Sequence, residues 1–147
     1  MKKIIISTLF SVVYVFCAAQ SESDIFGEWF NEEKDAVVTI YKDGNSISGK
    51  TTWLKEPFDS KGNAKLDLKN PDEKLRSRKR MGLKIMHSFK YNDQENIWED
   101  GRIYDPKKGK LYGGTATLVN ENELKLKGYI ISMPFLGRTA TWTRKTN

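Results

Sequence analysis

Cysteine is almost missing from this chain: Cys17 is the only one, and it lies within the first nineteen residues. A domain built from the remainder has no disulfide, no thiol nucleophile and no thiolate metal ligand. Packing and backbone hydrogen bonds must hold it together, which favours a closed core. Histidine is equally scarce, with His87 alone, so no His-x-x-x-His metal pair exists, and no Gly-x-Ser-x-Gly or phosphate-loop motif occurs. No apolar run is long enough to span a bilayer as a helix. A charge excess large enough to suggest nucleic acid is missing as well: the formal charge is +6, and losing Lys2 and Lys3 takes two from it.

Those two lysines open a secretory signal over residues 1–19. Ile4 to Phe16 form a short apolar stretch, and Cys17-Ala18-Ala19 offer small residues for cleavage before Gln20. The bulky Val15 and Phe16 disfavour lipid attachment at Cys17. The expected mature chain, residues 20–147, is long enough for one domain with a core of its own. It is expected in the periplasm or outside the cell, as a monomer with no transmembrane segment.

What is present is alternation. Gly27 to Phe30, Ala36 to Lys42 and Ile47 to Leu54 read as strands, with Asp43-Gly44-Asn45 turning the second into the third. Leu83 to Tyr91 follows, with Leu83, Ile85, His87 and Phe89 expected on one face. Ile97 to Tyr104, Leu111 to Val119, Leu124 to Ile131 and Arg138 to Lys145 complete eight strands, with Met133 to Gly137 expected as a loop. Leu124, Leu126, Gly128 and Ile130 alternate with Lys125, Lys127 and Tyr129, a half-buried pattern with one wet face. The fold class is therefore all-β, an antiparallel barrel of about eight strands, a size at which the interior is just filled or holds one small ligand. Residues 55–80 break the pattern: they are charged and interrupted by Pro57 and Gly62. A short helix is expected after Asn70 as cap and Pro71 at its first position. So long a connection is a candidate for function.

Several short motifs follow one another along the chain: Gly27-x-Trp29, Asp43-Gly44, Gly49-Lys50, Trp53-Leu54, Asn70-Pro71, Leu75-Arg76-x-Arg78 and Gly82-Leu83. Gly101-x-Ile103-Tyr104-Asp105-Pro106, Gly109-Lys110-x-Tyr112, Gly128-Tyr129 and Gly137-Arg138-Thr139-x-Thr141-Trp142-x-Arg144 continue the series. In these the chain resembles the DUF2147 family of secreted bacterial proteins of unknown function. The resemblance implies a lipocalin-like barrel and brings no established activity, substrate or catalytic residue. Family members often carry proline and leucine where this chain has Lys79 and Arg80, which makes its long connection more basic.

Trp29 and Arg144 look like the calycin closure, a first-strand tryptophan covered by a last-strand cation through stacking and cation–π attraction. Lys74, Arg76, Arg78, Lys79, Arg80 and Lys84 concentrate positive charge. Arg76 and Arg78 are the candidate anchors for an anionic headgroup, against the alternative of a merely solvated loop. Trp53, Trp98, Tyr104, Tyr112, Tyr129 and Phe135 either line a ligand cavity or simply fill the barrel. Asp105, Pro106 and Gly109 are expected to build a structured turn, with too few oxygens for calcium. His87 reads as a core or lumen residue, and Asp67, Asp100 or Asp105 would be its partner if it acted as a base. The reading is a non-catalytic binding module for a small apolar, amphipathic or anionic guest, with no metal, cofactor or nucleic acid. A structural or protein-interaction barrel with a filled core is the alternative, and a hydrolase-type enzyme ranks last.

Overall fold

The computed structural model describes residues 19–146. The expected signal segment lies outside the described residues apart from Ala19. Eight strands close into one antiparallel barrel in sequence order: β1 (Gly27–Phe30), β2 (Ala36–Asp43), β3 (Ser46–Leu54), β4 (Lys84–Asn92), β5 (Ile97–Asp105), β6 (Lys110–Asn120), β7 (Glu123–Ile130) and β8 (Met133–Arg144). Each strand pairs with the next, and β1 meets β8 through Trp29 opposite Arg144 and Phe30 opposite Thr143. Among the described strands, closure leaves no open sheet edge. Among the described residues no helix is long and apolar enough to cross a membrane.

The alternation read from the sequence sets the inner face. Val38 and Ile40 of β2, Leu124 and Leu126 of β7, and Trp142 of β8 join the buried core, while Lys125 and Lys127 stand in solvent. A 3-10 turn, Glu22–Ile25, plugs one end of the barrel and buries Ile25 beneath Trp29 and Trp98. That plug is tied down by the Tyr91 hydroxyl, which donates to the Gln20 carbonyl at 2.8 Å, and by Trp98 Nε1, which donates to Glu22 at 3.2 Å.

Three local expectations are corrected. On β4, Met86 and Phe89 both point into the core, while His87 faces outward opposite Arg102. Ser88 adopts a φ of 60° and β5 answers with Asp100 at 58°, so the two neighbouring strands bulge together and the inward phase slips. Met133 to Gly137 belongs to β8 rather than to a loop. Ile130 pairs with Met133 but Tyr129 with Gly137, so Pro134, Phe135 and Leu136 are ejected from the ladder within the strand. In the long connection the helix shrinks to the 3-10 turn Glu73–Leu75, capped by Asp72, whose side chain accepts the Lys74 amide. Asn70 is committed to other partners, described below.

Candidate functional site

Arg144 secures the closed end. Its guanidinium lies 4.1 Å from the Trp29 ring centre, and its donors reach the carbonyls of Phe26 at 2.7 Å, Asp24 at 2.6 Å and Glu121. Trp29 is fully buried and donates its own Nε1 to the Ile25 carbonyl at 2.8 Å. Gly27 makes room for this arrangement: its φ is +121°, and a Cβ there would sit 3.0 Å from the Arg144 guanidinium. A cation is held between an indole face and three backbone acceptors, and the barrel floor is sealed around it.

The opposite end is open. A cavity of about 680 Å³ reaches into the barrel, walled by Val38, Ile85, Ile103, Leu126, Ala140 and Trp142. Toward the mouth the wall turns polar and charged. Lys65 pairs with Glu56 at 3.0 Å, Lys107 with Asp35 at 2.7 Å and Lys108 with Asp105 at 3.9 Å, all six on the lining. Arg138 also lines the mouth and pairs with Glu32. Arg80 differs: its Nε donates to the Leu66 carbonyl at 3.1 Å, and among the described residues no carboxylate neutralises it. The interior is thus an apolar chamber with one unneutralised guanidinium at its entrance.

The long connection is folded around a buried carboxylate. Asp67 has no exposed surface; it accepts the Tyr104 hydroxyl at 2.6 Å, the Asn70 amide at 2.8 Å and Arg78 at 3.0 Å. The Asn70 side-chain oxygen accepts the Asp72 amide at 2.9 Å, and the Asn70 carbonyl accepts Arg76 Nε at 2.8 Å. Burial, then the hydrogen bond to Asp67, pushes the Tyr104 hydroxyl up to about 12. The β5–β6 turn packs against the same segment. Asp105 accepts the Lys107 amide at 2.8 Å on its side chain and the Gly109 amide at 2.7 Å on its carbonyl. Gly109, at φ +68°, lies so close that a Cβ would stand 1.8 Å from the Lys69 carbonyl oxygen.

The residues singled out from the sequence therefore part company. Tyr104 and Tyr112 line the cavity, as do Asp105 and Pro106 at its rim. Trp98 is buried at the closed end against Tyr91, ring centres 5.0 Å apart. Trp53 stands on the outer wall, 40% exposed and edge-on to Phe30 at 6.1 Å. Tyr129 also lies outside, its ring over Gly113, its neighbour on β6. Arg76 and Arg78 turn into the connection's own bonds, Arg76 also meeting Glu73 at 3.2 Å, and Arg80 alone of the basic run reaches the lining. The apolar wall of Ile85, Ile103, Leu126 and Trp142 was not picked out from the sequence. Leu126 and Trp142 carry the signal that would have found them: inward phase on their strands.

His87 is half-buried on the outer face. Burial first, then the Lys84 charge, lowers its pKa below the ordinary imidazole value, and it forms no hydrogen bond to Asp67, Asp100 or Asp105. Among the described residues no three His, Cys, Asp or Glu side chains converge as a metal cradle.

The family model described as an uncharacterized protein conserved in bacteria, DUF2147, matches residues 27–144. Among solved structures, protein HP1028 from the human pathogen Helicobacter pylori, described as belonging to the lipocalin family, is similar in fold. The TM-score is 0.63 and the identity 21%, over 76% of this chain and 73% of that one. A search of the curated proteins finds no match. The matched span runs from the glycine that frees the first strand to the arginine that seals the last, and the chain belongs to the DUF2147 family of bacterial proteins.

Proposed function

We propose that this protein is an exported binding module that holds a small amphipathic molecule, apolar body inward and anionic head at the mouth. The observation that carries this reading is the cavity of about 680 Å³ with apolar walls and a charged rim, within the size range of small-molecule sites. Trp29, Phe89 and Trp98 fill the closed-end half, so a wholly filled barrel is disfavoured by the chamber above them. Arg80 supports the anionic head, because a guanidinium without a carboxylate partner offers forked donors to a carboxylate or phosphate. Export is supported by the basic and apolar start of the chain and by Gln20, the first residue after the expected cut, whose amide donates to the Asn96 carbonyl at 3.0 Å.

Native mass spectrometry of protein purified from its own host tests the reading directly, by a co-purifying mass. Calorimetric titration with dodecanoate and with dodecanol then separates body from head. Dodecanoate should bind more tightly, Arg80→Gln should erase that preference, and Leu126→Trp should block both. An apo mass together with no heat from either probe rejects the binding module.

A further inference from the structure

The β7–β8 tip is apolar. Ile130, Ile131, Met133, Phe135 and Leu136 are all exposed, Phe135 at 80%. Single exposed apolar side chains are ordinary on a protein surface, but five within seven residues form a patch that calls for a partner. The ejected segment Pro134 to Leu136 makes the tip protrude from the ladder instead of lying along it. Ile130 and Leu136 also line the cavity, so apolar surface continues from the barrel interior out to the tip.

Charge is divided along the same axis. The closed-end segments 20–26, 43–46, 92–96 and 120–123 contain seven Asp and Glu and no Lys or Arg. The mouth segments 31–35, 55–83, 105–110 and 131–138 contain fourteen Lys and Arg against nine Asp and Glu. The mouth segments thus carry a net positive excess and the closed-end turns a net negative one, which Arg144 and Lys42, the latter paired with Glu22, offset only in part.

We infer that the mouth of the barrel docks on an anionic lipid bilayer, with the β7–β8 tip seated in the headgroup boundary and the surrounding cations on lipid phosphates. A protruding apolar tip needs a matching groove on a protein, whereas a lipid interface accepts it without shape matching. The cationic end is attracted to an anionic leaflet and the acidic end repelled, so the charge division orients the barrel mouth-down. A shallow tip with a few cations makes attachment reversible, and in this pose the cavity opens toward the lipid.

Co-sedimentation of the full protein with vesicles tests this without any added guest, so its failure leaves the cavity reading standing. Vesicles of phosphatidylcholine containing phosphatidylglycerol should bind the protein, and vesicles of phosphatidylcholine alone should bind far less. Binding should weaken from 0.1 M to 1 M salt, as the Debye length shrinks from ~10 Å to ~3 Å. Phe135→Ser should lower the affinity by about tenfold, and adding Met133→Ser should lower it further. Neither residue lines the cavity and both are exposed, so the denaturation midpoint should hold. No sedimentation, or binding that Phe135→Ser leaves intact, overturns the inference. So does a dimer that Phe135→Ser dissolves without vesicle binding, which would assign the tip to a second copy of this chain.

Discussion

Arg78 and Arg80 come from one basic run and end with different partners. Arg78 neutralises Asp67, a carboxylate with no exposed surface, whereas Arg80 keeps its outer nitrogens for the cavity mouth. Arg78→Ala should therefore destabilise the fold by about 1 to 3 kcal/mol, the range for stranding a buried polar group, as read by chemical denaturation. Arg80→Gln should leave the midpoint nearly unchanged. Tyr104 gives a pH signature of the same network. Its hydroxyl titrates near 10 when unfolded and at about 12 in the fold, so the unfolded chain releases this proton first. The contribution is complete below pH 10 and is lost as pH rises toward 12. Tyr104→Phe should flatten the alkaline limb of a stability profile over that window; an unaltered limb would place the alkaline loss elsewhere.

At the scale of elements, the barrel is closed by two residues and the long connection by one glycine. Trp29→Ala should cost about 3 to 5 kcal/mol, the usual range for deleting a large buried aromatic. Arg144→Ala should also destabilise, since it strips the carbonyls of Asp24 and Phe26 of their donors. An unchanged midpoint for Trp29→Ala would deny that the β1–β8 seam is held this way. Gly109→Ala forces a Cβ into the Lys69 carbonyl, so the β5–β6 turn and the connection must separate. Faster amide exchange across residues 67–70, with the β2–β3 hairpin unaffected, is the expected result. Gly44, also at positive φ, meets nothing within 4 Å, so substitution there should cost only backbone strain.

For the whole molecule, the two ends have opposite tasks. The closed end is acidic, plugged by Glu22–Ile25 and packed with aromatics; the open end is basic and leads into the apolar chamber. If the chain is exported as proposed, mass spectrometry of the exported form should show a protein beginning at Gln20. A product retaining Met1 would contradict that cut. The Gln20 bonds to Asn96 and Tyr91 imply a second consequence: removing residues 20–26 should open the floor and destabilise the barrel, even though no strand is lost.

The strand count, the hairpin at Gly44 and the wet face of Lys125 and Lys127 were legible in the sequence because each depends on neighbours one to three positions away. The Trp29–Arg144 pairing was legible for another reason: a barrel must join its first strand to its last, and those two residues sit on them. The outward position of Tyr129 follows from the same alternation as Lys125 and Lys127, whereas the cavity-lining role of Tyr104 and Tyr112 and the outward position of Trp53 depended on tertiary structure. The bulge that ejects Thr52 from the β2–β3 ladder sets Trp53 opposite Val37 on the outer wall, and no local periodicity announces it. The slip at Ser88 and Asp100 likewise exchanged His87 for Met86 in the core, because two paired strands bend together to close the barrel. Arg76, Arg78 and Arg80 are alike in composition and nearly alike in position. Only the fold of residues 55–83 around Asp67 separates them, since a buried carboxylate must recruit the donors within its reach.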